Sequence, residues 1–472
     1  MKIEQLYTGC IAQAAYYIES NGEAALFDPL REVQPYIEKA QKDNAKIKYI
    51  FETHFHADFV SGHLDLAKKS GGTIVYGPTA QPAFEALIAK DQQVFKVGDY
   101  SITALHTPGH TLESTCYLLT DENGKQHGII TGDTLFIGDV GRPDLAQSLT
   151  KELTQEILAG YLFDSLRTKI MPLDDTLIVY PSHGAGSACG KNMSKETTDT
   201  LGNQKRTNYA LRADMSKEEF TKELLDGLGT PPAYFPQNVL LNINGYESID
   251  TVLKKGNIGL TAKEFKQISK QDGVIVLDVR SENDFITSHI PNSIFIGIQG
   301  SFAPWVGALL RNVTQKIALV IPEGREEETI TRLSRVGFDQ VLGYLNGGIS
   351  SWIEAGFETD SIRSVSPEEF SKNYTSNTSV IDARNPGEYQ AEHVKDALNI
   401  PLDRINENIE NIPITEEFYL HCAGGYRSVI MASILKLNGI HHFINVEKGM
   451  NGIKQTDIPC TQFVCPSTLN KS

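Results

Sequence analysis

The chain is poor in cysteine, in positive charge and in long apolar runs. Its 6 cysteines are scattered over 472 residues, too few for a disulfide framework, which points to a reducing compartment where thiols stay free for chemistry. Lys and Arg total 43 against 59 Asp and Glu, a formal charge of -16. Phosphate backbones bind clustered basic groups, so nucleic acid is excluded as a partner. No apolar stretch approaches the roughly 20 residues of a membrane span, and MKIEQLYTGC carries no signal-peptide pattern. The expected location is the cytoplasm, away from membranes. A hydrophobic fraction of 40% supports well-formed cores, and at roughly 100 to 200 residues per domain the chain holds about three.

What is present is concentrated. THFHADFVSGH, Thr53 to His63, sets two histidines two residues apart and an aspartate two further on, after the apolar, β-prone run Lys46 to Phe51. His110 in LHTPGHT, Asp133 in IITGDTLF and His183 in IVYPSHGAGSACG each follow a β-like run beside Gly or Pro. Core packing does not produce such a density of donors, and four strand-end loops supplying them in order point to a metal site. His106, His127 and His289 lack this context and read as ordinary core or surface residues. His63 fits a helix start, where it packs or caps.

The ordered pattern resembles the metallo-β-lactamase superfamily over roughly residues 1 to 250, with HxHxDH followed by distant His, Asp and His. One position departs from it: Phe59 stands where the signature has its third histidine. The resemblance implies two sheets sandwiched by helices with metal at one edge. In the two-metal hydrolases of the superfamily the missing histidine helps hold the second ion. Here the second position keeps Asp58, His183 and a share of Asp133. A phenyl ring has no lone pair and excludes water, whereas a two-metal hydrolase needs two ligand sets, each of about three protein groups plus water. The expectation is one metal on His54, His110 and Asp133, with His56 as a fourth ligand or as a partner of the ligands. Two imidazoles and a carboxylate are the facial triad of non-haem Fe(II) oxygenases; the same residues also take zinc.

A second centre lies in FYLHCAGGYRSVIMASILKLNG, Phe418 to Gly439. A strand-like run delivers Cys422 to a Gly-containing loop that enters a helical pattern stopped at Gly439. Backbone N–H groups of such a loop and the positive end of the helix stabilise a thiolate. This segment, with Val380 to Leu402, resembles the rhodanese sulfurtransferases. The Cys-x4-Arg loop is one residue shorter than that of related phosphatases, which suits one sulfur atom and implies a Cys422 persulfide. Arg427, Gly424, Gly425, Tyr426 and Ser428 are then expected around the substrate.

Val274 to Ile298 repeats the Val380 block at one constant offset, setting Asp278 against Asp382, Arg280 against Arg384 and His289 against His393. Two rhodanese-like modules in tandem are expected. The first has its loop near Leu319 to Glu328, yet no cysteine occurs between Cys189 and Cys422, and Glu326 to Glu328 repel an anion. It reads as a structural or docking module. The plan is a multidomain α/β protein: a metallo-β-lactamase-like αββα sandwich over 1–255, a cysteine-less rhodanese-like module over 258–360 and an active one over 364–466. Each module is a small parallel sheet covered by helices, with linkers at Gly256 to Gly259 and Asp360 to Pro367.

The combination is similar to the CstB-type persulfide dioxygenase–sulfurtransferase fusions of bacterial sulfide detoxification. That resemblance implies one Fe(II) per chain, a low-molecular-weight thiol persulfide and O2 as substrates, sulfite and free thiol as products, and thiosulfate formed from sulfite and the Cys422 sulfur. It also implies a homo-oligomer. Arg142 in GDVGRPDL orients the substrate's anionic part or pairs with Asp144. Cys189 is an accessory sulfur acceptor or a small residue filling a turn. Cys10 and Cys116 read as core; Cys460 and Cys465 read as solvent-exposed thiols. Two rival readings are a zinc thioester hydrolase similar to glyoxalase II, fused to a sulfurtransferase, and a non-catalytic sulfur carrier with a structural metal.

Overall fold

Burial on both faces shapes the first sheet. In the strand Gln13–Ser20, Ala14, Tyr16 and Ile18 face one apolar cluster while Ala15 and Tyr17 face another, as side chains alternating between two packed layers must. The computed structural model describes residues 2–144, 153–191, 193–412 and 416–464; Cys465 lies outside them. Its first sheet runs Lys2–Thr8, Gln13–Ser20, Glu23–Phe27, Lys46–Phe51, Thr73–Tyr76, Leu87–Ile88. The second runs Asp199–Thr200, Ile178–Pro181, Gln126–Gly132, Thr115–Thr120, Tyr100–His106, Val94–Val97. Phe27, Phe51 and Val75 of the first sheet meet Phe95, Ile102, Tyr117 and Ile130 of the second in one core. Helices close the outer faces. Val33, Tyr36, Ala40 and Leu66 cover the first sheet, and Leu158-side residues Ala159, Leu162, Phe220 and Leu224 cover the second. This is the expected αββα sandwich.

The chain divides into two units, Met1–Val252 with Arg311–Val313 and Thr331–Asp339, and Leu253–Leu310 with Thr314–Ile330 and Gln340–Ser472. Residues 331–339 pack with the sandwich unit. There the wholly buried Arg31 donates to Asp339 (Nη1 to Oδ1 2.9 Å, Nη2 to Oδ2 2.8 Å), to Ser334 O and to Glu247 O. A buried guanidinium is tolerated only when paired in this way.

The other unit holds two parallel sheets of the same order: Gly259–Leu260, Val341–Leu345, Lys316–Val320, Val274–Asp278, Ile294–Phe295, and Ser364–Val365, Phe443–Val446, Phe418–His421, Val380–Asp382, Leu398–Asn399. The repeat extends to single bonds. Arg280 Nη2 donates to Asp278 Oδ2 at 2.6 Å and to Ser288 O, as Arg384 Nη2 does to Asp382 Oδ2 at 2.6 Å and to Glu392 O. His289 and His393 each approach the carbonyl four residues earlier at 2.7 Å. Asp278 is in register with Val320 where Asp382 is in register with His421, so the residue in the place of Cys422 is Ile321. Among the described residues no helix is long and apolar enough to cross a membrane.

Candidate metal centre and sulfur-transfer loop

Each metal-binding side chain leaves a strand end. The strands Lys46–Phe51, Tyr100–His106, Gln126–Gly132 and Ile178–Pro181 run into the loops bearing His54, His110, Asp133 and His183. His54 Nε2 lies 3.9 Å and His110 Nε2 3.5 Å from Asp133 Oδ2, and the donor atoms of these three buried residues all fall within 4.8 Å of one another. The rings are oriented from behind: His54 Nδ1 is 3.0 Å from Thr53 Oγ1 and His110 Nδ1 2.8 Å from Arg142 O, which turns each Nε2 inward. Gly141 permits the approach, since a Cβ there would stand 2.1 Å from Asp133 O and 2.8 Å from His110 Nδ1. Burial and the neighbouring histidines hold the His54 imidazole well below the usual histidine range, in the neutral form a ligand needs. Both carboxylate oxygens of Asp133 are buried without a hydrogen-bond partner. A buried carboxylate left so is compensated by a cation, so the residues fit a metal ion.

The second position is differently furnished. His183 Nε2 stands 3.4 Å from Asp58 Oδ2 and 3.6 Å from Asp133 Oδ1, and the buried Cys189 groups with Asp133 and His183. Burial and the charges of Asp58 and Asp133 push the Cys189 thiol well above its ordinary range. His56 groups both with Asp58 and His183 and with Asp28 and Glu52; its Nε2 lies 3.1 Å from Asp28 Oδ1 and 3.4 Å from Glu52 Oε2. Burial opposes a charge on this ring, but the two acids outweigh it and push the imidazole well above the usual range. Phe59, wholly buried, packs on the same ring with centroids 4.2 Å apart.

Sequence reasoning missed Asp28 and Glu52. Asp28 also accepts from Thr53 N (2.8 Å), Thr53 Oγ1 (2.9 Å) and Ser182 Oγ (2.7 Å), tying two metal loops together; burial raises Glu52 to about 7. The available signal was an acid directly after each of the apolar strands Glu23–Phe27 and Lys46–Phe51. Of the two roles expected for Arg142, the ion pair is present: Nε and Nη2 each donate to Asp144 at 2.6 Å, and Nη2 also to Gly229 O. Cys116 is core, but Cys10 is only half-buried, and Arg335 Nη1 donates to its sulfur at 3.2 Å. His63 is the buried first residue of His63–Ser70. Cys460 is half-buried rather than exposed.

In the sulfur-transfer loop the Cys422 sulfur is buried, and Gly425 N donates to it at 3.1 Å. Gly425, at φ 111, turns the chain into the helix Tyr426–Leu437, a conformation that favours glycine. Two residues expected around the substrate have partners within the chain. Ser428 Oγ donates to Gly425 O at 2.9 Å and so braces the loop. Tyr426 OH donates to Gly297 O of the cysteine-less module at 2.8 Å, and the same helix presents Ser433 Oγ to Phe295 N at 3.0 Å. Arg427 is held by Glu388 at 2.6 and 2.7 Å. Gly424 is exposed at the loop surface.

The sequence profile of the metallo-beta-lactamase superfamily matches residues 8–183, and that of the rhodanese-like domain matches residues 261–355 and 366–456. A hydroxyacylglutathione hydrolase of Rhodopseudomonas palustris (strain BisB5) is 30% identical over 215 residues, covering 42% of this chain and 80% of that protein. The chain belongs to the metallo-β-lactamase superfamily. Another member, a metallo-beta-lactamase of Staphylococcus aureus subsp. aureus COL, is similar in structure with a TM-score of 0.65 and 31% identity, covering 73% of this chain and 98% of that one. A probable hydroxyacylglutathione hydrolase of Schizosaccharomyces pombe is 30% identical over 183 residues, 38% of this chain. The chain spans 66% and 58% of the lengths of this and a second S. pombe relative. In this chain Phe59 stands in the metal loop, and two rhodanese-like matches follow the superfamily match.

Proposed function

We propose that the chain is a CstB-type persulfide dioxygenase fused to a sulfurtransferase, acting in sulfide detoxification. The single observation that carries this reading is Phe59 packed on His56 beside a converging His54, His110 and Asp133. That arrangement supports one metal ion with open positions rather than a two-metal hydrolytic centre. His54, His110 and Asp133 would hold Fe(II), which would supply redox chemistry with O2. The chain's own groups do the rest. Thr53 and the Arg142 carbonyl fix the ring orientations, and Phe59 excludes water and a further cation. Overall, thiol persulfide, O2 and water give free thiol and sulfite with release of protons.

In the active rhodanese domain Cys422 carries the sulfane sulfur as a persulfide. Sulfite attacks the outer sulfur, the S–S bond breaks, the Cys422 thiolate returns and thiosulfate leaves; the Gly425 N–H, already on the sulfur, stabilises that thiolate. The grouping of Cys189 with Asp133 and His183 supports its reading as an accessory thiol. A second reading is thioester hydrolysis, favoured by the hydroxyacylglutathione hydrolases among the relatives. Oxygen-electrode assays with thiol persulfides, and thioester assays under nitrogen, separate the two: our reading requires O2 uptake, and hydrolysis under nitrogen without O2 uptake overturns it.

A further inference from the structure

The metal-binding loop has no regular backbone pairing of its own. Residues 53 to 61 are all buried, and buried peptide groups need partners. Thr53 N and Phe55 N find theirs in Asp28 and Glu113, whereas from His56 to Ser61 the partners come from chain that lies beyond the superfamily match to residues 8–183. Asn242, 1% exposed on the helix Phe235–Asn244, meets three of them. Its Nδ2 donates to His56 O at 2.8 Å and to Phe59 O at 2.8 Å, and its Oδ1 accepts from Ser61 N at 3.0 Å. Tyr234 OH donates to Asp58 O at 3.2 Å, and Val60 N donates to Arg335 O at 2.7 Å. Each residue from His56 to Ser61 except Ala57 is thus held through its backbone by this clamp.

We propose that Asn242 is a positioning residue for the metal centre: its side-chain amide sets the turn that presents Asp58 and keeps Phe59 on His56. The inference rests on the metal-centre reading above and adds to it a residue that touches no metal. The polarity of the amide is what matters. With two carbonyls on one side and an N–H on the other, only one amide orientation satisfies all three groups. Asn242→Asp keeps the shape and the bond from Ser61 N but turns two donated hydrogen bonds into oxygen–oxygen contacts. Tyr234→Phe removes the hydroxyl bond to Asp58 O and nothing else.

The test is titration of the full-length chain, freed of metal, with Co(II), followed by visible absorption, which reads affinity and coordination together. Partner residues behind metal ligands typically change metal affinity by about 10–100-fold. Asn242→Asp is expected to weaken Co(II) binding by at least about tenfold with an altered d–d spectrum, and Tyr234→Phe is expected to move both in the same direction by less. A wild-type far-UV circular dichroism spectrum and urea midpoint verify that each variant is folded. Wild-type affinity and an unchanged spectrum in Asn242→Asp overturn the inference. If that variant does not fold, an unchanged affinity and spectrum in Tyr234→Phe overturns it instead. Failure of the wild-type chain to take up cobalt overturns the metal-centre reading, and the clamp with it.

Discussion

Phe59 lies on the imidazole of His56 with ring centroids 4.2 Å apart and planes 33° apart. The phenyl ring fills the place where the superfamily signature has a histidine, and it leaves Asp58 and His183, 3.4 Å apart, without that third donor. Restoring the donor should restore the second position. Phe59→His is expected to raise the metal content from one to two ions per chain when the protein is loaded with zinc, measured by elemental analysis, with loss of O2 uptake on persulfide. A Phe59→His protein that still binds one ion contradicts the ligand-counting argument.

The proposed primary position draws two of its three donors from histidines. His110→Ala removes one of three ligands and the ring that Arg142 O orients at 2.8 Å. Iron content in this variant is expected to fall at least about tenfold under conditions that saturate the wild type, while Cys422 remains reactive. Retention of stoichiometric iron would show that the ion is held elsewhere.

The two chemistries separate at Cys422. Cys422→Ser is expected to abolish thiosulfate formation and to leave persulfide-dependent O2 uptake within about twofold of wild type, because the sulfur it removes belongs to a different unit from the metal loops. Thiosulfate made at the wild-type rate by this variant refutes the assignment of the loop.

Arg427 does not stand free beside the thiol; Glu388 accepts both of its guanidinium nitrogens. Burial works against a charge on Glu388, but Arg427 outweighs it and holds the carboxyl below its ordinary value of 4.5. A depressed carboxylate contributes stability above its unfolded value and loses it as pH falls through the folded one. The difference in urea midpoint between wild type and Glu388→Gln is therefore expected to be constant from neutral pH down to about 4.5 and to shrink below it. The same substitution leaves Arg427 unneutralised, so the KM for sulfite should fall several-fold at neutral pH. A raised KM would assign Glu388 to the substrate instead.

The tyrosine that opens the helix Tyr426–Leu437 is seated on the cysteine-less module. A Cβ on Gly300 would stand 2.6 Å from Tyr426 Cζ, and the ring is tethered through its hydroxyl to Gly297 O. Gly300→Ala is expected to cost about 1–3 kcal/mol in chemical denaturation, as overpacking does. Stability equal to wild type would mean that the ring moves aside freely.

What the sequence made legible were features carried by short motifs and by repetition. His54, His110 and Asp133 stood out because each donor directly follows a β-like run, and a strand must release its chain at a sheet edge. The tandem modules showed themselves through Asp278 and Asp382 with their arginines, because a buried carboxylate needs the same partner in both copies. Asp28, Glu52 and Asn242 were silent for a physical reason: each is a single polar residue whose meaning comes from a partner far along the chain, such as Asp28 with Ser182 or Asn242 with His56. Arg142 was legible only as a pair of alternatives, since a guanidinium near Asp144 serves either a substrate or a carboxylate until its geometry is known. Nothing local in residues 331–339 announces that Asp339 answers the buried charge of Arg31.

The most direct test of the central claim is metal analysis of anaerobically prepared protein, combined with an oxygen-electrode assay on low-molecular-weight thiol persulfides. The account predicts one iron per chain, with O2 consumed and sulfite formed. Two zinc ions per chain and no O2 consumption would contradict it.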